Sequence, residues 1–372
     1  MKRGAVVFLV VLALAGASVA DVRWPEHRLR PREVAVSVPG GLLACPIGTA
    51  GSNGAVSLAN LGDRTSSVRV TWIPAKGGPV ENDLTMPAGS TQFVVAPRVA
   101  RARPASVTIE FSGSDIVASH EVFTPSGMGG EACQPPGGST IVVDGLSTRR
   151  ARSTLAVMNP GGADADVTIS LIANGRTLTP VRLSRRVIAA RSRLDLDMTE
   201  FAFGAGRIVA IIKATSGRVL AEGLVERSTG AVLVGSVEPS SQTVLIVPKA
   251  QTSGGGVVIV GDEQAALDAR TISGNSQGHA AGIPGLLAPS KPIPVPFAAH
   301  PGALYLEATA GSPLVGSVRW SIGPNGATDE ESIAGMTPGR RWGGVVTAAG
   351  ARGRFTMFIV NVGDDTAVGS IR

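Results

Sequence analysis

Several residue types are scarce in this 372-residue chain. It has two cysteines, four histidines, one tyrosine and four tryptophans, and only 17% of its residues are charged. His27, His120, His279 and His300 are scattered, and two thiols without a matching histidine cluster make a poor zinc site, so no metal or cofactor is expected. Aromatics at 4% leave too few rings for the stacking surfaces that bind nucleic acid. There is no phosphate-binding loop, no G-x-G-x-x-G after a strand and no metalloprotease helix. Beyond residue 20 no stretch reaches membrane-spanning length without Gly, Pro or charge. What is abundant is backbone punctuation: Gly and Pro supply 73 of 372 residues, the two worst helix formers. With 44% hydrophobic residues the chain can bury real cores, and glycine has no three-residue period, which excludes collagen. The composition points to a turn-rich, all-β protein.

Residues 1–20 read as a secretory signal peptide. Lys2 and Arg3 form a positive start, Ala5–Ala17 is apolar or small, and Ser18-Val19-Ala20 is a small-x-small cleavage site. The alternative is a retained signal anchor, against which the apolar run is short. The expected location is secreted or at the cell envelope, with residues 21–40 a linker. Without Lys2 and Arg3 the formal balance falls from +6 to +4. Its cations gather at Arg98, Arg101 and Arg103, at Arg149, Arg150 and Arg152, at Arg185 and Arg186, and at Arg340 and Arg341. These read as solvated loop charge with weak attraction for anionic envelope polymers, and no nucleic-acid partner is expected. In an oxidising compartment the even cysteine count pairs Cys45 with Cys133 in a disulfide.

A unit of about 100 residues recurs along the chain. Asn60 and Asn159 each follow an apolar strand and precede an alternating one, Val68-Val70-Trp72 and Val167-Ile169-Leu171. Asn361 holds the same place near the end, and residues 256–272 supply a divergent copy with Gly261-Asp262 at the turn. Asp115–Ser119, Arg218–Glu222 and Pro313–Ser317 match as a later element. The turns Asn60-Leu61-Gly62, Asn159-Pro160-Gly161 and Asn361-Val362-Gly363 suit Asn and Gly, which tolerate left-handed backbone. With Val80–Met86, Thr91–Val95 and Ser106–Phe111 as further strands, the unit has the footprint of an immunoglobulin- or fibronectin-like β-sandwich. A β-propeller with two blades per repeat is the rival. The expected units are 41–139, 140–241, a divergent 242–338, and a partial fourth at 339–372 that implies a truncated chain.

Three groups of residues imitate active or binding sites. Gly274-Asn275-Ser276-Gln277-Gly278 matches the nucleophile elbow G-x-S-x-G, but the residues after it are a poor helix start and the order of acid and histidine fails. Asp164 with Asp166, Asp195 with Asp197 and Glu200, Asp329 to Glu331, and Asp364 with Asp365 lack the ligand ladder of a calcium site. Asp197-Met198-Thr199-Glu200 instead reads as a capped single turn. Trp72 and Trp320 fall at core positions, while Trp24 and Trp342 are freer but do not form a sugar-stacking platform.

Cys45-Pro46, the strand–Asn-Pro-Gly–strand pattern, Pro87–Ser90 and Val219–Glu222 together resemble an uncharacterised family of actinobacterial secreted proteins known only as a domain of unknown function. The resemblance implies tandem β repeats and export; it carries no catalytic residues. The reading is a non-enzymatic envelope scaffold or interaction protein with an unknown envelope polymer or protein as partner. A carbohydrate- or cell-wall-binding protein is the alternative, and a hydrolase using Ser276 a third.

Overall fold

A computed structural model describes residues 6–11, 41–247, 254–294, 302–322, 329–334 and 356–361, with short gaps inside these ranges. Among the described residues the regular structure is nearly all strand, in keeping with a Gly and Pro content that disfavours helix. Among the described residues no helix is long and apolar enough to cross a membrane.

The strands fall into three consecutive groups between β1 (Val6–Val11) and a final strand. The first group is β2 (Gly41–Ala50), β3 (Gly54–Asn60), β4 (Ser66–Pro74), β5 (Val80–Met86), β6 (Thr91–Val95), β7 (Pro104–Ser112), β8 (Ile116–Thr124) and β9 (Gly127–Ala132). The second is β10 (Thr140–Leu146), β11 (Arg152–Asn159), β12 (Ala165–Ala173), β13 (Arg176–Leu178), β14 (Arg186–Ile188), β15 (Ser192–Asp197), β16 (Ile208–Ala214), β17 (Leu220–Arg227) and β18 (Gly230–Val237). The third is β19 (Gln242–Val247), β20 (Gly254–Ile259), β21 (Ala265–Ser273), β22 (Ser276–His279), β23 (Leu286–Leu287), β24 (Ile293–Pro294), β25 (Gly302–Gly311), β26 (Leu314–Ile322) and β27 (Asp329–Ala334). The final strand is β28 (Thr356–Asn361).

Pairing is antiparallel throughout. The first group forms two sheets, β2-β7-β4-β5 and β6-β3-β8-β9. The third forms β19-β25-β21-β22, with β23 beside β21, and β24-β20-β26-β27. In the second the order is β13-β12-β16-β10-β18-β17-β11-β15, with β14 beside β12. There β18 pairs first with β17 and then with β10, so it crosses from one layer to the other. In every group the opening strand pairs with the third from last, and the second strand with the penultimate one. The first two strands of each group thus lie in different layers, as in a sandwich; propeller blades of consecutive strands would not give this order.

Alternation builds the cores. Val68, Val70 and Trp72 of β4 and Val107 and Ile109 of β7 face Val56 and Leu58 of β3 and Ile116 and Ala118 of β8. In the second group Val167, Ile169 and Leu171 of β12 face Leu155 and Val157 of β11. Exposure alternates along the first part of β4 and β12, the period-two pattern of a strand with one face buried, while β3 is buried along its whole length.

β1 pairs with β28, Val6 opposite Asn361 and Val11 opposite Thr356. β1 lies in the apolar stretch of the expected signal peptide. The rest of residues 1–20, the linker 21–40, Trp24, Trp342, Arg340, Arg341, Gly363, Asp364 and Asp365 lie outside the described residues.

Candidate functional site

The site begins at a break in β2. The register between β2 and β7 shifts between Cys45 and Thr49, where Pro46 removes a ladder donor. Cys45 points inward and forms a disulfide with Cys133, just past β9. The bulge turns Ile47 outward, where it packs with Val122 against Ala156, Leu224, Ala231 and Leu233 of the second group. Ala44 and Ile73 likewise meet Met158 and Leu220. Gly129 lets β9 lie close to β18: a Cβ there would stand 3.0 Å from the Leu233 nitrogen.

Three ionisable groups meet inside this apolar contact. His120 of β8 and Glu222 of β17 are both buried, with His120 Nε2 3.0 Å from Glu222 Oε1. The backbone N–H of Ile47, freed by the bulge, donates to Glu222 Oε2 at 2.9 Å. On the other side of the imidazole, Nδ1 lies 3.8 Å from Cys133 Sγ. Glu131 of β9 is half-buried beside Gly235 of β18. Burial, the largest single influence, opposes charge on His120, but Glu222 and Glu131 together outweigh it and hold the imidazole's pKa above its ordinary value. Desolvation, and then repulsion from Glu222, push the Glu131 carboxyl up to about 7. Beside the cluster is a cleft of about 10 Å³ lined by Ala44, Pro46, Glu131, Ala132, Gln134 and Glu222, the space of one water. A second bridge crosses the same junction: Arg193 Nη1 donates to the Pro46 carbonyl at 2.8 Å, while Asp195 holds the guanidinium.

The second and third groups meet in the same manner. β10 also breaks register, between Asp144 and Leu146, across Gly145 at φ 116°. Asp144 accepts from Arg207 Nε at 2.8 Å and from Ser317 Oγ of β26 at 3.0 Å. Val142, Ile172, Val209 and Ile211 surround this bridge together with Val315.

The Asn–Gly turns are held by side chains. Asn60 Nδ2 donates to the carbonyls of Arg64, Met86 and Pro87 at 2.7, 3.0 and 3.1 Å, and Gly62 N–H donates to Asn60 Oδ1. Asn159 repeats the arrangement with Ala163, Ile188 and Ala189 at 2.8, 3.0 and 3.2 Å, and with Gly161 N–H. Left-handed backbone is not the reason for these residues: Asn60, Gly62, Asn159 and Gly161 are absent from the positive-φ positions. Each asparagine is a buried peg that satisfies several carbonyls with one amide. Asn361 ends β28.

The other sequence candidates do not converge. Ser276 opens β22 and pairs with Ser273 in a hairpin, without the helix that a nucleophile elbow needs. Asp164 accepts from Ala190 N–H, Asp166 neighbours Ser216, and Asp197 caps the turn Met198–Glu200 by accepting from Thr199 N–H. Asp329 to Glu331 lie on β27. Trp72 is fully buried in the first core. Sequence reasoning placed the disulfide but missed His120, Glu131 and Glu222. The available signal was an ionisable residue inside an otherwise apolar strand, as in Leu220–Val225, which is costly unless it finds a partner. Comparison of the chain with protein-family models and with curated proteins finds no match to either.

Proposed function

We propose that this chain is a non-catalytic exported scaffold. Its tandem sandwich units span 41–139, 140–241 and 242–338, followed by a further repeat segment at 339–372, and they stack into a stiff rod presented to a polymer or protein of the cell envelope. The reading rests above all on the recurrence of one device: a bulged opening strand that carries a buried polar bridge to the next strand group. At the first junction the Ile47 N–H of β2 meets Glu222, and at the second Asp144 of β10 meets Ser317. A buried, directional bridge fixes orientation more tightly than apolar contact alone, because one misaligned partner strands a dehydrated charge. Ionisable groups that an enzyme would aim at a substrate are here directed at neighbouring strand groups. The resemblance to the actinobacterial secreted family and the signal-like first twenty residues support export.

Small-angle scattering on the chain from residue 21 tests the rod. A single extended rigid body is expected, with Glu222→Ala loosening it at the first junction; a profile of independently moving units would overturn the reading. A pull-down of envelope components with the same chain tests the partner. Retention of one component is expected, and retention of a pure glycan that free sugar competes away would shift the function to carbohydrate binding.

A further inference from the structure

We propose that Cys45, Cys133 and His120, once the disulfide between the cysteines is reduced, form a binding site for one zinc-class divalent cation. The two sulfurs and a ring nitrogen of His120 all lie within 4.8 Å of one another, with Nδ1 3.8 Å from Cys133 Sγ, and all three residues are buried. Two thiolates and an imidazole are a ligand set that zinc takes, leaving one of its four positions open.

The surroundings fit that use. Glu222 stands 3.0 Å from Nε2, the nitrogen that faces away from the sulfurs. A carboxylate there keeps the ring proton on Nε2 and presents the Nδ1 lone pair to a metal, the outer-shell arrangement of metal-bound histidines. Glu222 is itself fixed by the Ile47 N–H, so the ring cannot turn freely.

The chemistry balances as two steps. A dithiol reductant breaks the Cys45–Cys133 bond, supplying two electrons and two protons, and leaves as its own cyclic disulfide. The cation then displaces the two thiol protons, and the Nδ1 proton as well where the imidazole is charged, and binds two thiolates and a neutral ring, so uptake releases at least two protons per ion. In an oxidising compartment the disulfide form prevails, and the metal form belongs to the chain before its cysteines are oxidised.

The test uses the full chain. It is reduced anaerobically under native conditions and freed of reductant, and its thiols are counted. It is then titrated with Co(II) at mildly alkaline pH, followed by Zn(II). One equivalent of cobalt is expected to give a thiolate-to-metal charge-transfer band that zinc abolishes, with no band from the oxidised chain. His120→Ala should weaken binding and change the band. Glu222→Gln, which keeps the side-chain shape, should weaken it by about 10–100-fold. Circular dichroism of each reduced variant separates lost binding from lost fold. The proposal is overturned if both thiols titrate in a folded chain that gives no stoichiometric band. It is equally overturned if the band ignores His120, or if the disulfide can be reduced only by unfolding the chain.

Discussion

At the first junction Glu222 reaches from the second strand group to the Ile47 N–H and His120 of the first. At the second junction Ser317 holds the corresponding place in its own strand and reaches back to Asp144. Their sequence segments, Arg218–Glu222 and Pro313–Ser317, match, and in both cases the earlier strand is bulged at the point of contact. The chemistry differs. The first bridge is a buried carboxylate–imidazole pair beside a disulfide. The second pairs a carboxylate with Arg207, which stays charged because Asp144 outweighs its burial. One docking geometry therefore accommodates a titratable lock and a permanent one. Only the first should answer to protons and to reductant.

The largest test of that contrast removes the disulfide. It closes a loop of 88 residues, and Cys45→Ser with Cys133→Ser should cost about 4 kcal/mol by the chain-entropy argument. Calorimetry should show the lowest transition falling while the transition of the second group stays. Next come the bridges. Glu222→Ala strands the Ile47 N–H and a buried imidazole and should cost about 3 kcal/mol, whereas Ser317→Ala removes one neutral donor and should cost about 1 kcal/mol. Urea unfolding of the two variants measures the difference, and equal costs would erase the contrast.

Proton linkage comes third. His120 and Glu131 both hold protons more tightly in the folded chain, so folding takes up protons and stability falls as pH rises. For Glu131 the loss runs from its unfolded value of 4.5 to about 7, and for His120 it begins near 6.5 and continues through the raised folded value. Asp197, held low by the Thr199 hydroxyl and N–H, acts in the opposite sense, but only in acid below its ordinary range. The melting temperature of the first group should therefore drop between about pH 5 and 8, with Glu131 contributing about 2 kcal/mol. Glu131→Gln should flatten that slope and leave the second group's profile unchanged. The smallest difference between the groups falls where they are alike. Asn60→Ala and Asn159→Ala each strand carbonyls at a turn and should cost about 2 kcal/mol apiece, equal within error; a clear inequality would mean the two turns are not equivalent pegs.

Much of the fold was legible because strands announce themselves locally. Val80–Met86 and Thr91–Val95 form where the alternation and the flanking turns place them, and the cap at Asp197 follows from one side chain and the N–H two residues on. The turn asparagines were legible as positions but not as a mechanism: their partners Met86 and Ile188 are more than twenty residues away. His120 and Glu222 are 102 residues apart in sequence. Each looks like a stray polar residue in its own strand, and no local pattern couples them.

By itself the sequence determined the class of the fold, through glycine, proline and period-two alternation, and it named the one possible cysteine pair. These are properties of short segments and of residue counts. Only the tertiary structure decided what the ionisable residues are for. Bulges at Pro46 and Gly145 re-aim two backbone segments, and dry contact between strand groups makes each stray charge seek a partner on the other side. That pairing depends on which faces meet in space, and a carboxylate buried there has no choice but to bridge them.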